Sequence, residues 1–190
     1  MSELEQLPRR SAINALLGRI VHSDERTRWR AIKAGGILIG KFADEDPEAA
    51  RVMVRRLLWN LTEESGTCHW GATELIGEAL SRHSGLAREF AHMLVSFIVP
   101  WGNHLEHKPL LRGAVWGIAR LAEVDPEKIR DAEPFLRDMV ESGDPETGAF
   151  AARALALMDA ESTGRDSGLN SGAPDTVLVF RDGGLERRPL

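Results

Sequence analysis

The chain has 190 residues and a formal net charge of −5, from 24 Lys and Arg against 29 Asp and Glu, with 43% hydrophobic and 28% charged residues. That length and apolar share suit one domain able to bury a core without covalent staples, and they exclude a wholly disordered chain. The single cysteine excludes an intrachain disulfide framework, and the acidic balance provides no general attraction to phosphate.

Met1-Ser-Glu-Leu-Glu-Gln-Leu7 carries acids where a secretory signal would carry bases. No run approaches the ~18 apolar residues of a membrane span. The expectation is a cytoplasmic protein with no membrane association.

Helix then follows helix. Ser11 to Val21 has Ile13, Leu16, Leu17 and Ile20 at helical spacing. Asp24 reads as an N-cap for a helix over Arg28 to Phe42, and Asp46-Pro47 opens the next, apolar at Val52, Val54, Leu57, Leu58 and Leu61. Ser65 caps a helix predicted from Cys68 to Ser81; Gly85 to Val99 follows and stops at Pro100. Pro109 to Ala122, Pro126 to Val140 and Pro145 to Met158 complete the set. Residues 160–174 are a linker by composition. Thr176 to Phe180 is strand-like, Asp182-Gly-Gly184 is a turn signal, and the β-like tail covers 175–190. A lone hairpin is marginal in water, so the tail is expected to dock on the helices, pair with a second copy of the chain or stay mobile.

Every second helix aligns on one alanine: Ala31, Ala72, Ala114 and Ala151, separated by 41, 42 and 37 residues. Five positions later the residue is again small: Gly36, Gly77, Ala119 and Ala156. Seven positions earlier stand Asp24, Ser65, His107 and Asp144, three of them good N-caps. Lys108-Pro109 departs from this pattern, so the third helix is expected to start later. Small residues at fixed positions let neighbouring helix backbones approach closely.

A period near 40, two helices per unit, and runs such as Gly143-Asp-Pro-Glu-Thr147 leading into Ala151-Ala-Arg-Ala-Leu-Ala156 resemble the HEAT-like repeat (PBS-lyase-type) family. The resemblance implies an all-α fold: a short right-handed α-solenoid of four helix pairs. The repeat domain would cover 1–159, with units at about 11–42, 46–82, 85–123 and 126–159. Each unit would bury one face only against its neighbours.

Two intra-repeat turns are longer and richer than joining two helices requires. One carries Trp59, Asn60, Glu63, Glu64, Cys68, His69 and Trp70; the other Trp101, Asn103, His104, Glu106 and His107. Equivalent turns of such a stack lie side by side, so these residues are expected to converge on one ridge. The function expected is non-catalytic, with no cofactor: a scaffold or adaptor for a protein partner. Trp101, with Trp59 or Trp70, would be its apolar anchors. Glu63, Glu64, Glu106, His104 and His107 would supply orienting polar contacts.

The alternative from another class is a metal-binding protein or metal-dependent enzyme using His69, His104, His107, Glu64 and Glu106, since imidazole with carboxylate suits zinc or iron. Deoxyhypusine hydroxylases, which are HEAT-like, use His-Glu pairs, and no His-Glu dipeptide occurs in this chain. A bland account also serves: the carboxylates cap helix starts, and Trp59, Trp70 and Trp116 fill the core. Adjacent Cys68 and His69 point about 100° apart on a helix, which disfavours a nucleophile–base pair. Residues 1–56 are net +3 and residues 111–159 net −4, which reads as solvated helix faces or as a route to head-to-tail association. HEAT-like DNA glycosylases grip DNA with a basic surface, whereas this chain is acidic overall, so nucleic acid is not the expected partner.

Overall fold

In a computed structural model, which describes residues 9–62, 70–142, 144–163, 176–181 and 184–189, the chain is mostly α-helical with one small antiparallel sheet. The helices are α1 (Arg9–Leu17), α2 (Glu25–Glu45), α3 (Pro47–Thr62), α4 (Ala72–Arg82), α5 (Ser84–Ser96), α6 (Lys108–Ala122), α7 (Glu133–Ser142) and α8 (Pro145–Ser162). A 3-10 segment, Pro126–Ala132, precedes α7, and strands β1 (Thr176–Arg181) and β2 (Gly184–Pro189) follow α8. No helix among the described residues is long and apolar enough to cross a membrane.

Helices α2, α4, α6 and α8 pack side by side in that order, and α1, α3, α5 and α7 pack against this row. The alanines that align the repeat lie inside it, with Ala31 3% exposed and Ala72, Ala114 and Ala151 at 0%. The small residue five positions on marks where row helices touch. A β-carbon on Gly36 would fall 2.4 Å from Glu78 Cγ of α4, and one on Gly77 only 2.3 Å from Gly117 Cα of α6. Ala156, on the last row helix, is exposed.

Helix starts follow local chemistry, with corrections to the expected boundaries. Asp24 and Asp144 accept from the backbone N–H groups of Thr27 (2.8 Å) and Thr147 (3.1 Å) and cap α2 and α8. Ser65, Cys68 and the start expected there lie outside the described residues; the described helix begins at Ala72. It does so because Gly71 adopts φ +85°, a left-handed conformation in which a β-carbon would meet the Ile20 carbonyl oxygen at 2.6 Å. The third row helix does not start late: His107 is its N-cap and Lys108 its first residue. Proline is tolerated in a first turn, where its missing N–H would have no helical partner anyway.

The helix expected over Pro126 to Val140 is split. Ile129 leaves helical geometry (φ −121°, ψ 17°), and the α-helix begins only at Glu133. Pro134 has no N–H to donate four residues back, and its ring would crowd that carbonyl, so a continuous helix cannot run through it. At the front, α1 ends at Leu17, short of the expected Val21: residues 18–21 form turns, and the Arg19 N–H donates three residues back to the Leu16 carbonyl (2.8 Å).

The tail docks on its own chain. β1 pairs antiparallel with β2, and Val177, Leu178 and Val179 are 3%, 9% and 6% exposed. Trp116 of α6 donates from Nε1 to the Leu178 carbonyl at 2.9 Å. Burial on the helix row supplies what an isolated hairpin lacks.

Candidate functional site

The four row helices present their amino-terminal turns to one cavity of about 160 Å³. Helix α2 contributes Glu25, Arg28 and Trp29, and α4 contributes Glu74, preceded by Trp70 and Gly71. Helix α6 adds Pro109, Arg112, Gly113 and Trp116, α8 adds Glu146 and Phe150, and Val179 of β1 completes the lining. Helix amino termini carry partial positive charge, and four of them share this space.

The Trp29 and Trp116 rings pack with centroids 4.8 Å apart at 42°. Trp116 has its N–H on the Leu178 carbonyl, but Nε1 of Trp29, a residue only 7% exposed, has no partner. The Nε atoms of Arg28 and Arg112 are likewise buried without a hydrogen bond. Among the described residues these are the three such side-chain atoms, and all belong to residues of this cavity. Buried donors are almost always satisfied in folded proteins, so three unpaired ones together set this cavity apart from the rest of the described residues.

The acids around them are constrained. Arg112 holds Glu146 through Nη1 (2.6 Å) and lies 3.6 Å from Asp144. Glu74 Oε2 accepts from the Thr73 hydroxyl at 2.9 Å, and a β-carbon on Gly113 would fall 2.5 Å from that same oxygen, so the carboxyl lies against the α6 backbone. Burial pushes the Glu74 carboxyl above its ordinary range, against the pull of Thr73 and Arg28. Burial likewise pushes Glu146 up, opposed by Arg112. Both carboxyls therefore keep their proton to higher pH than exposed ones would. Beyond Trp29 and Val179 a cleft of about 230 Å³ continues between α2 and the hairpin, past Arg26, Val177 and Arg188.

A charged network runs beside this site through the row. Glu78, whose side chain is 0% exposed, pairs with Lys33 (3.0 Å), Arg82 (2.7 Å) and Arg120 (2.9 Å). Arg120 also reaches Glu123 (3.1 Å), which binds Arg153 of α8 (2.8 Å) and Arg187 of β2. Burial alone would raise Glu78, but Arg120, Lys33 and Arg82 outweigh it and hold the carboxylate below its ordinary range. Burial, reinforced by Arg120, pushes the Lys33 ammonium down despite Glu78. Glu78 shifts downward because three cations surround it, and Lys33 chiefly because it is buried. The network ties α2, α4, α6, α8 and β2 together.

The residues expected to form one ridge are distributed differently. Trp70 lines the cavity, and His107 packs edge-on against it with centroids 5.2 Å apart. Trp101 is 80% exposed, yet its ring packs on Phe135 of α7 (5.2 Å) and it does not line the cavity. Asn103 donates to the Ser96 hydroxyl (3.1 Å), and His104 and Glu106 are exposed. Trp59 is 64% exposed near the end of α3, while Asn60 borders a separate groove between α1 and α3. The core role considered for Trp59, Trp70 and Trp116 holds for Trp116 alone, which is 3% exposed. Glu63, Glu64, Cys68 and His69 lie outside the described residues. Of the metal candidates, His104, Glu106 and His107 remain, and no group of three or more His, Cys, Asp or Glu among the described residues is placed to hold one ion.

Arg28, Trp29, Arg112 and Glu146 are not among the expected site residues. A signal for three site residues lies in the repeat. Trp29, Trp70 and Arg112 all stand two positions before the aligning alanine, whereas the equivalent residue in α8 is Ala149, so the starts of three successive row helices bring a large side chain to the same cavity.

No family model matches the chain. Over 148 residues it is 31% identical to a protein of Archaeoglobus fulgidus described as an uncharacterized protein, and the match covers 75% of this chain and 72% of that one.

Proposed function

The chain belongs to the same family as this Archaeoglobus fulgidus protein, and we propose that it is a non-catalytic binding protein built as a HEAT-like α-solenoid. It takes a segment of a protein partner at the amino-terminal ends of its row helices. The observation that carries this reading is the cavity in which Arg28, Trp29 and Arg112 leave buried donors unpaired. The HEAT-like part rests on the recurring cap, alanine and small residue, together with the side-by-side order of α2, α4, α6 and α8. Trp70, 41% exposed, stands at the cavity and Trp101 on the adjoining α5–α6 turn. Exposed tryptophans are common interface anchors. Asn103, His104 and Glu106 extend the same turn surface. A cytoplasmic location belongs to this reading.

The test is selection of random peptides, displayed with free carboxyl ends, on the immobilised full chain. A shared sequence pattern should be enriched, and Trp70→Ala combined with Arg112→Ala should lose it while keeping a cooperative thermal transition. No enrichment over the bare support, or equal retention by the double variant, overturns the proposal.

A further inference from the structure

We propose that the cavity between Arg28 and Arg112 is a carboxylate-binding site. The proposal deepens the reading above and rests on it only for the carboxylate belonging to a peptide. Three side-chain N–H groups without partners, Arg28 Nε, Trp29 Nε1 and Arg112 Nε, belong to residues lining the cavity. All are donors, so the missing partner must be an acceptor. The Trp29 indole is buried to all but 7% of its surface, and a buried N–H without a bond is costly. Two of the donors are guanidinium N–H groups, whose bonds to a carboxylate are among the stronger ones in proteins.

The setting selects for an anion of a particular kind. Gly71 and His107, the N-cap residues of α4 and α6, make no side-chain cap hydrogen bond, so the first-turn amides of these helices add to the positive field. A doubly charged phosphate would sit close to Glu25, Glu74 and Glu146, whereas a monoanion meets less repulsion. Arg112 neutralises Glu146, and burial of Glu74 favours its uncharged form. A volume of about 160 Å³ holds a carboxylate with a few carbons, not a drug-sized ligand. Trp29, Trp70 and Trp116 supply aromatic surface for those carbons, and the cleft past Val179 gives a longer chain a way out.

The site's own tryptophans report binding by fluorescence. The probes are the tripeptide Ala-Ala-Phe as free acid, its carboxyl-terminal amide, benzoate and inorganic phosphate, each titrated into the full chain. The free acid should give a saturable change, and the amide should bind about tenfold more weakly or worse. Arg28→Gln should weaken the free acid by about tenfold, and Trp29→Phe, which removes only the N–H and part of the ring, by several-fold. Both variants should keep the wild-type far-ultraviolet circular dichroism. Benzoate binding as tightly as the tripeptide would uphold the carboxylate site while overturning the peptide-partner reading. Equal binding of acid and amide, tighter binding of phosphate, no effect of either variant, or no saturation by any carboxylate up to roughly 10 mM overturns the site.

Discussion

Gly77 of α4 and Gly117 of α6 meet backbone to backbone: a β-carbon on Gly77 would lie 2.3 Å from the Gly117 Cα. No flexible side-chain end is available to yield there, so the two helices must separate to admit a methyl group. Gly77→Ala should destabilise the fold by about 3 kcal/mol, the upper end of overpacking costs. Gly148 in α8 provides the contrast, since its β-carbon would find nothing nearer than 3.4 Å. Gly148→Ala should stabilise by about 0.4–1 kcal/mol, through helix propensity and a less flexible unfolded chain. Urea denaturation of both variants checks the pair of opposite signs.

Removing the negative charge at Glu78 leaves Lys33, Arg82 and Arg120 around a neutral buried group. Glu78→Gln should cost about 3–5 kcal/mol at pH 7, the usual loss when one member of a buried ion pair is removed. The carboxylate is held below its ordinary range in the folded state. Its stabilisation is therefore present above the unfolded value of about 4.3 and is lost as pH falls through the lower folded value. Denaturation midpoints followed from pH 7 to strong acid should converge for wild type and variant.

Glu74 has the opposite sign. Its folded carboxyl titrates above the ordinary range because of burial, so the stability it contributes is full below the unfolded value and is lost as pH rises through the folded one. Glu74→Gln, which keeps an oxygen for the Thr73 hydroxyl, should melt at or above the wild-type temperature at pH 7–8. The difference should shrink as pH is lowered toward about 4. Thermal melts across that range measure it.

Trp116→Phe keeps an aromatic ring beside Trp29 but removes the donor to the Leu178 carbonyl. An unpaired buried carbonyl costs about 1–3 kcal/mol, and the loss falls on the junction between α6 and the hairpin. Amide hydrogen exchange in β1 and β2 should accelerate by about tenfold or more while the row helices remain protected.

Much of the helical layout is readable along the chain because its signals are local. Asp24 and Asp144 cap through groups three residues away. The prolines at 47, 109 and 145 stand where a missing N–H is harmless. Between 126 and 140 the helical signal at Pro126 does not reveal the break before Glu133, where Pro134 stands in the first turn of the α-helix. The start of α4 depended on a left-handed glycine that periodicity does not reveal.

By itself the sequence determined the helical class, the aligned alanines and the small residue that follows each one. These follow from a period that every unit repeats and from bonds made within one or two turns. Only the tertiary structure decided the rest. It set Trp70 in the cavity and Trp101 against Phe135, although their sequence contexts look alike. It also gathered Arg28, Trp29, Arg112 and Val179 into one lining. That grouping depends on four helix starts coming abreast and on which donors find acceptors once water is gone, and both are settled by packing between segments far apart in the chain.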